Sequence, residues 1–114
     1  MERLRLTARF RAVRQGGRWV VGRYVAVGSL PNALTQARVG VRVKRGVRGA
    51  VARNRAKRLV REWCRQHGTI LAAGQDVVIV LRQIEPIDPA SLNDELNSLC
   101  QQLQPRVDLA SGSP

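Results

Sequence analysis

The segment that decides the fold is Arg53-Asn54-Arg55-Ala56-Lys57-Arg58-Leu59-Val60-Arg61-Glu62. Helical residues are about 100° apart around the axis, so a helix through this segment and its flanks has two distinct sides. One side carries Ala52, Ala56, Leu59, Val60, Trp63 and His67, and the other carries Asn54, Lys57, Arg58, Arg61 and Arg65. The sequence therefore predicts a helix with one buried apolar stripe and one exposed cationic stripe.

The cationic stripe has almost no acidic partners, since Glu62 is the only carboxylate in the segment. Exposed helical surfaces usually mix both signs of charge, because like charges one turn apart repel each other. A purely solvated polar surface is therefore the weaker explanation. A polyanionic ligand for this helix is the stronger one.

The charge of the whole chain supports the same interpretation. Lys and Arg number 20 against 8 Asp and Glu, which gives a net charge of +12 on 114 residues and a sequence pI near 11.7. Residues 1–65 hold 18 basic and 2 acidic side chains, whereas residues 66–114 hold 2 basic and 6 acidic ones. Nucleic acid is the default partner of such a chain, and the first part of the sequence is expected to bind it.

Length and composition predict one soluble cytoplasmic domain. An apolar content of 44% suffices for one modest core. Cys64 and Cys100 have no CxxC partner and His67 stands alone, so neither a zinc site nor a disulfide framework is indicated, and free thiols suit a reducing cytoplasm. No apolar run approaches the roughly 20 residues that span a bilayer, so no membrane association is expected.

The first part of the chain predicts one helix and two strands. Thr7 can cap a short helix that ends at Gly16-Gly17. Residues 19–27 are rich in β-formers, and Gly22 is expected to divide them into two short strands. A turn over residues 29–35 follows.

The next strand is predicted from the alternation of apolar and basic residues over 37–45. This alternation places Val39, Val41 and Val43 in the core, and Arg38, Arg42 and Lys44 on the other face. The basic helix then runs from about Ala50 to His67.

The last part of the chain predicts one strand and one helix. The continuous apolar run at residues 76–82 indicates a central strand buried on both faces, and Ser91 can cap a final helix. The order α-β-β-β-α-β-α predicts an α+β fold over residues 1–104, a two-layer sandwich with a mixed sheet. The basic helix forms a β-α-β crossover, and residues 105–114 are a short flexible tail.

The chain resembles the bacterial ribonuclease P protein component. The resemblance rests on Phe10-x-x-Val13 before a glycine, Arg38-Val39-Gly40-Val41-Arg42-Val43, Ala50-x-x-Arg53-Asn54-Arg55-x-Lys57-Arg58-Leu59-x-Arg61-Glu62 and Asp76-Val77-Val78-Ile79-Val80. It covers roughly residues 4–103, and the basic block is a specific signal.

The resemblance implies a small basic subunit, monomeric and one per RNA, that binds a large catalytic RNA and the 5′ leader of precursor tRNA. It implies that the RNA and Mg²⁺ remove the leader, while the protein adds substrate affinity and supplies no catalytic or metal-binding side chain. It also implies a left-handed β-α-β crossover.

Two sets of residues follow from the match. Contacts to the catalytic RNA are expected from Arg45, Arg48, Arg53, Asn54, Arg55, Lys57, Arg58, Arg61 and Arg65. A cleft for the single-stranded leader is expected from Phe10, Val13, Arg14, Tyr24, Arg38 and Arg42, with Tyr24 as the main stacking candidate. The family often has an aromatic residue where Arg14 stands, and a cation usual at position 46 appears at 48.

Alternatives to these assignments come from the residues themselves. Phe10 and Tyr24 would ordinarily be core residues, and Trp19 and Trp63 are assigned to the core. No serine lies near His67 in the sequence, and carboxylates are too sparse in the basic half for a two-metal nuclease. A ribosomal or general RNA-binding protein would share the charge pattern, whereas a helix-turn-helix would need a helix where residues 37–45 alternate like a strand.

Overall fold

The computed structural model describes residues 2–3, 7–44, 49–67, 74–83 and 88–103. Its elements are β1 (Glu2–Arg3), α1 (Thr7–Gly16), β2 (Arg18–Val21), β3 (Val25–Pro31), β4 (Arg38–Val43), α2 (Ala50–His67), β5 (Gln75–Leu81) and α3 (Pro89–Leu103). The predicted α+β class is confirmed, and so is the order of the larger elements. The two-residue β1 was not predicted, and β3 extends through Pro31, where a turn was expected.

The strands form one mixed sheet in the order β1-β4-β5-β3-β2. β3 pairs antiparallel with β2 and β5, whereas β4 pairs parallel with β1 and β5. Because β4 and β5 are parallel neighbours, α2 is the crossover between them, as the sequence predicts. The left-handedness of this crossover stays a prediction.

The larger core lies between the sheet and the pair of helices α2 and α3. Val60 and Trp63 of α2 are buried there, together with Leu92 and Leu96 of α3 and Ile79 of β5. The indole N–H of Trp63 donates to the side-chain oxygen of Asn97 at 3.0 Å, which ties α2 to α3. Trp63 therefore has the core position that the sequence predicts.

A smaller core lies on the other face of the sheet, beneath α1. Val13 and Val78 are its fully buried members, and Phe10, Trp19, Leu30 and Val80 pack against them. α1 thus covers this second face of the sheet, which the predicted two-layer arrangement does not include. Its apolar contacts are few, which leaves space between the helix and the sheet.

The turn between β2 and β3 is closed by a carboxylate from α3. Glu95 accepts hydrogen bonds from the backbone N–H groups of Arg23, Tyr24 and Val25, each at 2.8 Å. A Cβ at Gly22 would lie 2.4 Å from the Glu95 carboxyl carbon, so glycine is required for this approach. Glu95 therefore has a structural role in this turn.

The cap of α3 also differs from the prediction. The Asp88 carboxylate accepts hydrogen bonds from the Ser91 N–H at 3.3 Å and from the Ser91 hydroxyl at 2.8 Å. Asp88 is therefore the N-cap, three residues before the predicted Ser91, because a carboxylate satisfies the free N–H groups of the first turn and complements the helix dipole.

The two cysteines are free and buried in the larger core. Burial raises the pKa of Cys64 and of Cys100 to about 12, so both thiols are neutral at physiological pH. Over the described ranges of the chain, no helix is long and apolar enough to cross a membrane.

Candidate nucleic-acid interface

The outer side of α2 is a cationic surface, here called the α2 surface. It consists of the exposed side chains Arg53, Asn54, Arg55, Arg58 and Arg61, with Lys57 half-buried beside them. The opposite side of the helix packs Ala56, Val60, Trp63 and Cys64 into the core. The helix begins after Gly49, whose φ of +99° would strain any side chain and whose carbonyl accepts from the Arg53 N–H at 2.8 Å.

The described part of the chain offers no counterion to the cations of the α2 surface. Among the described residues, none of the carboxylates forms an ion pair with Arg53, Arg55, Lys57, Arg58 or Arg61. Spacings of three and four residues bring these like charges close together, which costs the isolated helix about 0.2–0.5 kcal/mol per pair. A polyanion bound along this surface would relieve that repulsion.

Arg65, which was predicted with this group, differs from the rest. Its guanidinium pairs with Glu62 one turn away, Nη2 to Oε2 at 2.6 Å, and both side chains are exposed. The hydrogen bond from Arg65 lowers the pKa of Glu62. Arg65 therefore brings less net charge to a ligand than its neighbours do. Arg45 and Arg48, also predicted here, lie outside the described residues.

A second site, here called the α1 pocket, lies between α1 and the sheet. It has a volume of about 280 Å³ and is lined by Phe10, Arg11, Arg14, Trp19, Arg42, Val78 and Val80. Three arginines, two aromatic rings and two valines thus converge on one cavity. Its size is near the lower end of small-molecule pockets, which begin at about 300 Å³.

Phe10 and Arg42 form a stacked pair within the pocket. The tip of the Phe10 ring lies over Gly40, where a Cβ would be only 2.2 Å from Cζ. The guanidinium carbon of Arg42 lies 4.2 Å from the ring centroid, a cation–π distance. Phe10 is therefore half-buried, with one ring face already covered by its own chain.

Val13 and Tyr24, both predicted for the leader cleft, are core residues in the structure. Val13 has no exposed surface and is the central side chain of the smaller core. Tyr24 is 8% exposed and packs into the larger core on the opposite face of the sheet from Phe10. Neither side chain can lie against a base in the α1 pocket, because one is enclosed and the other faces α2 and α3.

Arg38, another predicted cleft residue, is held by a buried carboxylate. Its Nε and Nη2 donate to the two oxygens of Asp76 at 2.7 and 2.8 Å. Arg9 of α1 donates to the same group at 2.7 Å, and Asn32 donates at 2.9 Å. Asp76 is fully buried, so these donors are what make its charge tolerable.

The ionisation of Asp76 reflects this arrangement. Burial alone would raise the pKa of Asp76, but the hydrogen bonds from Arg38, Asn32 and Arg9 outweigh it and lower the pKa from 3.8 to about 2. The charged cluster joins α1, β4 and β5 through Arg9, Arg38 and Asp76. Arg38 is thus held in place by Asp76, and its contact with the leader stays a prediction.

Trp19 and Arg11 belong to the α1 pocket but were not predicted to be part of a site. Trp19 was assigned to the core, and only the pairing of Trp19 with Gly28 across β2 and β3 shows why it also lines the cavity. That pairing joins residues on two strands and has no local sequence signature. Arg14 and Arg42, which were predicted for the leader cleft, both line the pocket.

No catalytic group is evident in the described parts of the chain. They contain no cluster of three His, Cys, Asp or Glu side chains that could hold a metal. The carboxylates of Asp76, Glu95 and Glu62 are each bound to arginines or backbone N–H groups. A general base would need a carboxylate or imidazole poised at a cavity, and the α1 pocket has none.

Comparison with known proteins agrees with this architecture. The ribonuclease P family model matches residues 1–104. The ribonuclease P protein component of Chloroflexus aurantiacus is 40% identical over 102 residues, covering 88% of this chain and 76% of the relative. That of Caldanaerobacter subterraneus is 32% identical over 103 residues, covering 90% and 89%.

The fold is also that of a solved relative. The ribonuclease P protein of Thermotoga maritima superposes with a TM-score of 0.79 at 30% identity, covering 90% of this chain and 97% of that structure. Fold and charge together define a small basic α+β protein with a cationic helix on one side of its sheet and an arginine-lined pocket on the other. The chain belongs to the ribonuclease P protein family, and so is a subunit of an endonuclease complex partnered with the ribonuclease P RNA.

Proposed function

We propose that the protein is a monomeric subunit, one per RNA, of a cytoplasmic ribonuclease P. In this proposal it holds the catalytic RNA with its α2 surface and the 5′ leader of precursor tRNA in its α1 pocket. The observation that supports the proposal is the presence of two separate cationic sites on opposite faces of one sheet, whose cations form no ion pair with a carboxylate among the described residues. A protein with one RNA ligand needs only one of them.

The α2 surface suits a folded RNA because it lies on a helix and carries a row of cations that form no ion pair with any described carboxylate. Arg53, Arg55 and Arg58 can each grip phosphate through a planar fork, and Asn54 adds an amide that can donate and accept. Affinity from such contacts depends on phosphate neutralisation, so it should fall steeply with salt.

The α1 pocket suits a flexible single strand better than a duplex. Unpaired bases can be stacked on planar side chains, while arginines hold the backbone between them. The pocket offers Arg11, Arg14 and Arg42 for the backbone and has aromatic and apolar walls for the base. Leader binding there would favour precursor over mature tRNA, because only the precursor has a leader.

The chemistry in this proposal belongs to the RNA. Mg²⁺, which the family implies, has no set of protein ligands among the described residues, so we assign its binding to the RNA. Bound Mg²⁺ would activate the attacking water and stabilise the leaving oxygen. The protein binds and positions the substrate.

The test is cleavage of a precursor tRNA by the cognate ribonuclease P RNA at low and moderate Mg²⁺, with and without the protein, beside the protein alone. Rescue of cleavage at low Mg²⁺, with none by the protein alone, is the expected result. Absence of rescue at every protein concentration would contradict the proposal and favour a ribosomal or general RNA-binding role.

A further inference from the structure

Trp19 and Phe10, the two aromatic residues of the α1 pocket, differ in what lies over their rings. Phe10 has its tip against Gly40 and the Arg42 guanidinium across one face. Trp19 lines the same cavity and is partly exposed. Of the two aromatic residues there, Trp19 is thus the one over which none of the described cations is stacked.

The indole of Trp19 is held in place from behind. Its Nε1–H donates to the Val13 carbonyl at 3.0 Å, which fastens it to α1. Its ring lies over Gly28 of β3, where a Cβ would be 2.4 Å from Cε2 and 2.5 Å from Cζ2. A glycine at position 28 is therefore required for the indole to lie against the strand, and the ring has little freedom left to lose when a ligand binds.

The hydrogen bond to Val13 also decides what kind of contact the ring can make. The indole has a single donor, and the Val13 carbonyl already occupies it. The ring can therefore offer a ligand only its carbon surface. Such a surface stacks on the π-face of any base and does not distinguish one base edge from another.

We propose that Trp19 is the stacking wall of the α1 pocket, on which one unpaired base of the precursor tRNA leader lies, and that its contribution does not depend on which base this is. This inference rests on the proposed function, since it assumes that the leader enters the pocket. It assigns a substrate contact to a residue whose position and size alone indicate core packing.

The test uses the complex of the protein with the catalytic RNA and two variants, Trp19→Leu and Trp19→Phe. Stacking on an aromatic side chain is worth roughly 5- to 150-fold in affinity per base, so Trp19→Leu should weaken the binding of precursor tRNA by that factor. Trp19→Phe should retain most of the affinity. Mature tRNA should bind equally to all three complexes, which also shows that the variants are folded and assembled.

A series of leaders with a single abasic position tests the contact without altering the protein. At one position the abasic leader should weaken binding to the unaltered complex and have no further effect on the Trp19→Leu complex. All four bases at that position should bind within a few-fold of one another. The proposal would be overturned if, at every leader position, the loss of affinity from the abasic leader added to the loss from Trp19→Leu. It would also be overturned if Trp19→Leu weakened the binding of precursor and mature tRNA equally.

A spectroscopic readout is available because Trp63 is the other tryptophan of the chain and is enclosed in the larger core. In Trp63→Phe, emission comes from Trp19 alone, and precursor tRNA should quench it whereas mature tRNA should not. Unchanged emission on precursor binding would overturn the stacking assignment. If the unaltered complex does not prefer precursor over mature tRNA, leader binding in the pocket fails; if it does and Trp19→Leu keeps the full preference, only the role of Trp19 fails.

Discussion

On the α2 and α3 side of the sheet, the described buried side chains are almost all apolar. The cations on this side lie on the solvent-exposed surface of α2. On the α1 side, arginines reach into the layer between helix and sheet, and a fully buried carboxylate holds two of them. A helix can display charge on its outer surface without disturbing the core beneath it. Arg9 and Arg38 carry charge into this layer and need internal neutralisation, which Asp76 supplies. The arginines that line the α1 pocket form no ion pair with a described carboxylate.

The largest effect is expected from removing that neutralisation with Asp76→Asn. Arg9 and Arg38 would keep their charge but lose the buried carboxylate that they share, and breaking a buried pair in this way costs about 3 kcal/mol. Urea unfolding should show this loss. Asp94→Asn on the exposed side of α3 is the matched control and should stay within about 0.5 kcal/mol of the unaltered protein.

The same carboxylate predicts a dependence of stability on pH. Its folded pKa, about 2, lies below the ordinary 3.8, so its contribution is present above about pH 4 and is lost as the pH falls towards 2. The difference corresponds to about 2 kcal/mol. Unfolding measured between pH 6 and pH 2 should show a steeper decline in the unaltered protein than in Asp76→Asn. Parallel curves would mean that the ion cluster does not contribute to stability.

The next effect concerns the carboxylate on the other side of the sheet. Glu95→Ala would leave three backbone N–H groups of the β2–β3 turn without their acceptor, at a cost of about 2 kcal/mol. Glu95→Gln keeps one acceptor oxygen and should therefore lose less stability than Glu95→Ala. Thermal unfolding of the two Glu95 variants measures these losses of stability, and Asp94→Ala is the control at the neighbouring residue. Equal stability of Glu95→Ala and Asp94→Ala would show that water replaces the carboxylate.

A smaller effect on stability, with a specific effect on binding, is expected from Gly40→Ala. The added methyl group would push the Phe10 ring towards the cavity, at a cost of about 1.5 kcal/mol. Precursor tRNA should then bind more weakly, while the catalytic RNA binds as before. Gly16→Ala is the control, since its Cβ would lie 4.0 Å from the nearest side chain. If Gly40→Ala weakened the binding of both precursor tRNA and the catalytic RNA, the two RNAs would not have separate sites on the protein.

The smallest effect on stability is expected from Arg58→Ala. Removing one of several mutually repelling cations should leave the free protein unchanged or about 0.3 kcal/mol more stable. Binding of the catalytic RNA should nevertheless weaken, and the salt dependence of log K should fall by about one unit. Lys44→Ala, which removes an exposed charge just after β4, controls for net charge. An unchanged salt slope would show that Arg58 does not contact phosphate.

Local patterns explain how much the sequence could predict. The period of α2 identified both its stripes, and the apolar run of β5 identified the central strand, because these signals lie within one element. Arg9 and Arg38 meet Asp76 across 67 and 38 residues of sequence, and Glu95 meets Val25 across 70. Pairings over such separations depend on strand order, which no local pattern shows.

Tyr24 illustrates the same limit in a predicted site. It lies just before β3, so strand alternation did not determine its direction, and the turn held by Glu95 points it into the larger core. Trp19 is the opposite case. Its size suggested burial in the core, but its pairing with Gly28 places it at the α1 pocket. In both cases the backbone around the residue, and not its chemical type, decided which surface it joins.

The register of β5 has a consequence for which changes the chain can accept. Val77 and Ile79 pack beneath α2 and α3, while Val78 and Val80 line the α1 pocket, so neighbouring residues of one strand serve opposite surfaces. A one-residue insertion within β5 would exchange these two sets along the rest of the strand. Length variation among relatives is therefore expected in the connections around β5 and not within it.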